Sequence, residues 1–142
     1  MAMSFRGQNI SNMDLRTFGD LSGSDFYGAT CVRTIFAGVN LRGVNFYGAT
    51  CQGADFTGCD MSTANCYGAN FSQVNASRVN LTNANLYGSD WHASVVSEST
   101  LISADCYGAD FSTSNLGGSN FTNARIERAN FSGANTAGTI WG

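Results

Sequence analysis

Five tyrosines occur in this chain, Tyr27, Tyr47, Tyr67, Tyr87 and Tyr107, each followed by glycine and each 20 residues from the next. Inside that long period runs a shorter one. Cut in fives from Gly19, the chain reads GDLSG, SDFYG, ATCVR, TIFAG and so on to TIWG, and the middle residue of every block is apolar except Thr136. Asn or Asp stands just before the centre in 18 of the 25 blocks, and a small residue stands two before it.

Neither common period accounts for this. A helix needs apolar residues three or four apart, and a half-buried strand alternates. A period of five means that the chain turns a corner in every block; four corners close a square, and one square takes 20 residues. The expected fold is all-β: a right-handed quadrilateral parallel β-helix, or β-solenoid, of about six 20-residue coils stacked at the strand spacing of about 4.8 Å. Residues 19–142 form the β-helix proper. Residues 1–18 read as a lead-in and cap with an imperfect first coil, joined with one extra residue near Thr17–Phe18, and Met1–Gln8, including Phe5, can fold over that coil.

The block pattern resembles the pentapeptide-repeat family, whose usual block is Ala-Asp/Asn-Leu/Phe followed by two polar residues. The resemblance covers about 19–142 and is specific because the block recurs so often. It implies the same square β-helix. It also implies one functional alternative, since some members look like DNA rods, bind DNA gyrase and pair through their C-termini; that reading requires a strongly acidic surface.

Thirteen of the 17 glycines fall two positions after a centre, where a type II corner needs positive φ. The coils lacking Gly there, around 73–103, are expected to use type I corners. The centres should stack in four columns, with Cys31, Cys51, Cys66 and Cys106 replacing Leu or Phe and Cys59 replacing Ala as core filler. Register predicts ion pairs between Arg78 and Glu98 and between Asp105 and Arg125.

Charge limits the functional classes. The net charge is −3, with seven Arg and no Lys, which excludes the basic footprint of a nucleic-acid binder. Nothing in the sequence reads as a signal peptide or a membrane span, so the expected location is the cytoplasm or an intracellularly assembled particle. His92, the one histidine, follows a buried Trp and reads as a solvent-facing residue without a ligand cluster around it. No catalytic, cofactor or metal residues are predicted, and no enzyme activity.

Surfaces remain. The tyrosine stripe is either a strut or a flat aromatic docking face. The stretch 91–103 carries two outward apolar residues, Val95 and Ile102, which suggest either a docking patch or a distorted coil. At the C-terminal end, Ile140 and Trp141 either plug the coil or form an association surface. The sequence thus points to a non-catalytic interaction module, a rigid rod that docks on protein partners through its C-terminal end or its tyrosine face, as an end-to-end homo-oligomer or a subunit of a larger assembly.

Overall fold

The computed structural model describes residues 2–142; Met1, part of the expected N-terminal cover, lies outside the described residues. The chain is a parallel β-helix in which each side of each coil pairs with the next coil through a single bridge. Asp20 pairs with Asn40, Asn40 with Asp60, and the same offset of 20 residues continues to Asn120 and Ile140. The earlier bridges, Ser4 to Asp25, Asn9 to Thr30 and Asp14 to Ile35, are offset by 21. The extra residue is taken up by a one-turn 3-10 helix at Arg16–Phe18. Phe5 is therefore a rung of the core, 8% exposed and stacked on Phe26 at 4.8 Å, rather than a lid over it.

The five-residue pattern follows from where five backbone N–H groups go. In the block around Phe46, the centre donates to Asn65 in the next coil (2.7 Å) and the corner residue Gly48 donates to Tyr67 (3.0 Å). Ala49 closes the turn onto the Phe46 carbonyl (2.9 Å), and Asn45 donates to Ser24 in the preceding coil (3.0 Å). That leaves the N–H of Tyr47, which no backbone carbonyl meets; the Asn45 side chain accepts it at 3.0 Å. The same side-chain bond recurs from Ser22 to Asp20, Thr57 to Asp55, Ser72 to Asn70 and Ser112 to Asp110. The Asn/Asp preference before each centre is this requirement, since a backbone donor left without a partner is costly.

Corners are uniform, which corrects the expectation of type I turns around 73–103. Every corner from Gly23 to Gly138 has positive φ, including Thr63, Gln73, Arg78, Asn83, Ala93, Glu98 and Ser103, at 55–60°. The ladder forces it. The middle peptide of each corner lies along the rod axis, its C=O accepting from the coil behind and its N–H donating ahead. Gln73 donates to His92 at 3.0 Å just as Gly48 does to Tyr67. A type I corner would flip that peptide, setting carbonyl against carbonyl on one side and N–H against N–H on the other. Losing two ladder bonds outweighs the cost of about 1 kcal/mol for a side chain in the left-handed region.

Inside the square, the centres stack as their register predicts. Phe26, Phe36, Phe46, Phe56, Phe71, Trp91, Phe111 and Phe121 are essentially inaccessible. Rings stack along the columns, as in Phe36 on Phe56 at 4.8 Å, and meet edge-on between columns, as in Phe46 against Phe56 at 5.7 Å. Small residues fill the gaps; among them Ser89, Ser94, Ser114 and Ser119 donate their hydroxyls to the carbonyl three residues back, as Ser89 does to Leu86 (2.7 Å), whereas Ser99 donates to Ala76 in the preceding coil (3.0 Å). No buried side-chain polar atom lacks a partner among the described residues. Burial weakens in the last coil, where Ile126 is 37% exposed and Thr136, expected as a centre, is exposed.

The corner account gives paired outcomes. Around Gly48 a Cβ would meet nothing within 4 Å, so Gly48→Ala costs only conformational energy and should destabilise by about 1 kcal/mol. Ala93→Gly removes a strained side chain and should stabilise by up to about 1 kcal/mol. Urea unfolding midpoints of the two variants should move in opposite directions.

Candidate functional site

The tyrosines immediately follow the centres of one column, so their rings stand outside the square. Tyr27 and Tyr47 are 5.1 Å apart with planes 3° from parallel, and Tyr47–Tyr67 and Tyr67–Tyr87 repeat that geometry at 5.1 and 5.0 Å. Tyr87–Tyr107 is 5.1 Å at 16°. Both ends are closed by guanidinium groups: Arg6 lies 4.0 Å above the Tyr27 ring and Arg125 lies 4.3 Å from that of Tyr107. Arg6 is held by Asp25 (3.3 Å), and Arg125 by Asp105 (3.4 Å) with Glu127 at 3.8 Å.

This corrects the picture of a flat aromatic platform. Each ring has a neighbour on both faces, either another tyrosine or an arginine, so the stack has no open ring face on which a planar group could lie. What reaches the surface is a row of ring edges and phenol hydroxyls, with Tyr27, Tyr47 and Tyr67 at 38–39% exposure. The corner residue beside each ring is Gly28, Gly48, Gly68, Gly88 or Gly108, and no atom approaches within 4 Å of where its Cβ would be. The result is a straight, bare strip running parallel to the ring edges.

The other candidates lie apart from this strip. Val95 pairs with Asn75 and Asn115, whereas Ile102 follows Leu101 around the next corner. The corner Glu98 separates them, so they share no patch. Nor is the coil distorted, because Ala93, Glu98 and Ser103 keep the common turn and ladder bonds. Trp141 continues its column, stacked on Phe121 at 5.0 Å and edge-on to Phe131 at 5.1 Å, with 41% exposed; Ile140 points outward at 49%.

Of the expected ion pairs, Arg125 meets Asp105, whereas Arg78 and Glu98 make none. Glu98 leans the other way, its Cγ 3.5 Å from where a Cβ would stand on Gly118. The sequence reading also missed the surroundings of His92. Asp90 and Asp110 bracket it, with the ligand atoms of all three within 4.8 Å of one another. The 20-residue spacing of the two aspartates, with the histidine two residues after the first, was the available signal.

All five cysteines are free and buried. Burial raises the thiols of Cys59 and Cys106 to about 12, and those of Cys51 and Cys66 also lie well above the ordinary value. Cys59 in addition donates to the Phe36 carbonyl at 2.9 Å. These are inert core residues rather than nucleophiles. Because the unfolded chain ionises its thiols near pH 9 while Cys51, Cys59, Cys66 and Cys106 stay protonated in the fold, stability should fall as pH rises above about 9. At pH 8 iodoacetamide should leave the native thiols unmodified and should alkylate all of them in denaturant, as mass spectrometry would show.

No helix among the described residues is long and apolar enough to cross a membrane. Compared with known proteins, residues 24–62, 64–92 and 104–135 match the family model described as pentapeptide repeats, in 8 copies. A search of curated proteins finds no significant match. Among solved structures, a pentapeptide repeat protein of the Arabidopsis thaliana thylakoid lumen is 28% identical. That match covers 75% of this chain and 67% of the plant protein, with a TM-score of 0.56. QnrB1, a plasmid-mediated fluoroquinolone resistance protein, superposes with a TM-score of 0.77 at 22% identity, over 97% of this chain and 70% of its own. At that identity the likeness speaks for the fold alone.

Proposed function

The chain belongs to the pentapeptide-repeat family, and from that premise we propose that it is a non-catalytic interaction module: a rigid rod that docks on a protein partner along its tyrosine strip. The observation that carries this is the strip itself, five ring edges in line at a spacing of 5.0–5.1 Å beside a bare glycine rail. Preorganisation favours binding there. The rings are already fixed by stacking and by the terminal arginines, so little side-chain entropy remains to be lost on contact. Tyrosine also suits protein interfaces, since it offers apolar area and a hydroxyl together. A second docking surface is the last coil, where Ile126, Ile140 and Trp141 are 37–49% exposed.

The gyrase-binding alternative needs one continuous acidic face. The register disperses the carboxylates instead. Asp20 and Asp60 stand on one side, Asp25 and Asp105 on the next, Asp90 and Asp110 on the third, and Asp14 and Asp55 on the fourth. Asn, Thr, Ser, Ile, Val or Arg occupies the positions between and beyond them. Such a surface resembles a DNA backbone poorly.

Capture from a lysate of the source cells should compare the wild type with a variant carrying Tyr47→Thr, Tyr67→Thr and Tyr87→Thr, both shown folded by circular dichroism. Partners retained by the wild type and lost at least tenfold in the variant are the expected result. Equal retention would refute the tyrosine strip and shift docking to the last coil, and recovery of gyrase subunits would restore the DNA-mimic reading.

A further inference from the structure

We propose that Asp90, His92 and Asp110 form a binding site for one zinc-class divalent cation on the side of the rod. The two aspartates pair directly across adjacent coils. Among the described residues this is the only bridge with a carboxylate on both sides; elsewhere each bridging aspartate faces Asn, Ser, Ile or Arg. Like charges placed opposite one another across a ladder are unfavourable, and the chain avoids them everywhere else. At the one place where it does not, the chain's one histidine projects beside them.

The donor set suits a borderline ion. One imidazole nitrogen and two carboxylate oxygens give three protein ligands, leaving a position for water, the arrangement of an open tetrahedral zinc site. His92 Nδ1 is hydrogen-bonded to Asp90 Oδ1 at 2.7 Å, a contact that a bound ion would replace. The three ligand atoms sit within 4.8 Å of one another, whereas bonds of 2.0–2.2 Å place tetrahedral ligands about 3.4 Å apart. Side-chain rotation closes that gap, because all three groups are partly exposed. The backbone need not move. Asp90 Oδ1 accepts the His92 N–H at 3.0 Å and Asp110 Oδ1 accepts the Ser112 N–H at 2.8 Å. These bonds fix both carboxylates at the rod surface and leave each Oδ2 free to turn toward an ion.

The side chain next to the site is well placed to report on it. Trp91 is fully buried between Phe71 and Phe111, directly between Asp90 and His92 in sequence. The test is isothermal titration of the full chain with zinc chloride, in parallel with His92→Gln and Asp110→Asn. Asparagine at 110 can still accept the Ser112 N–H, as Asn70 does for Ser72 (2.8 Å), so that variant keeps its fold, which circular dichroism verifies. The expected result is saturable binding of one zinc per chain, weakened at least tenfold in each variant and not displaced by excess magnesium, a hard ion that disfavours imidazole. Copper(II) should also quench Trp91 fluorescence in a Trp141→Phe background, and this quenching should be lost in the same variants. Absence of saturable zinc binding, or equal binding by both variants, would overturn the proposal.

Discussion

The hydrogen-bond ladder between coils is the constraint from which the rest of the structure follows. Four of the five backbone N–H groups in an interior block such as that of Phe46 are satisfied by carbonyls, three of them in neighbouring coils, and in most blocks the fifth by the Asn or Asp before the centre. Because the middle peptide of each corner belongs to that ladder, a corner cannot choose its turn type independently of the coils above and below it. Intrinsic preference is overridden. Arginine, glutamate and alanine take the left-handed conformation at Arg78, Glu98 and Ala93 because glycine corners in the same columns fix the direction of every peptide.

The regularity of the outer surface has the same origin. A side chain placed once per coil is repeated at the coil spacing, so a single choice of tyrosine becomes a straight row of parallel rings. Stacking stabilises that row at roughly 0.2–1 kcal/mol per contact, and the terminal arginines complete it. Structural support and availability for docking are therefore compatible: ring faces serve the fold, and ring edges and hydroxyls face outward. The same logic makes one repeated aspartate into a facing pair. At Asp90 and Asp110 it sets two carboxylates opposite one another across adjacent coils, with His92 beside them.

Much of this was legible in the sequence, because the fold is written in a period rather than in local propensity. The columns from Leu21 to Phe121 follow from counting, and Asp105–Arg125 follows from the same count. What counting could not reach was of three kinds. The extra residue absorbed by Arg16–Phe18 hid the fact that Arg6 shares the tyrosine column and caps it. Corner conformation was inferred from the residue present, whereas the ladder decides it. Side-chain direction was also out of reach: Glu98 leans toward the bare corner of Gly118 instead of meeting Arg78, because a glycine leaves space there. His92 was read along the chain alone, and its partner Asp110 becomes visible only when the coil register is applied to polar residues as well as to the core.

The most direct test of the central claim is the backbone conformation of the corners that lack glycine. In solution, the nuclear Overhauser effect between a residue's own amide and α protons is strong at positive φ and weak in ordinary turns. The ladder account predicts strong intraresidue effects at Gln73, Arg78, Asn83, Ala93, Glu98 and Ser103, all of which have positive φ in the structure. Weak effects at these six positions would mean that each corner follows its own residue and that the coils do not impose a common turn, which would contradict the account.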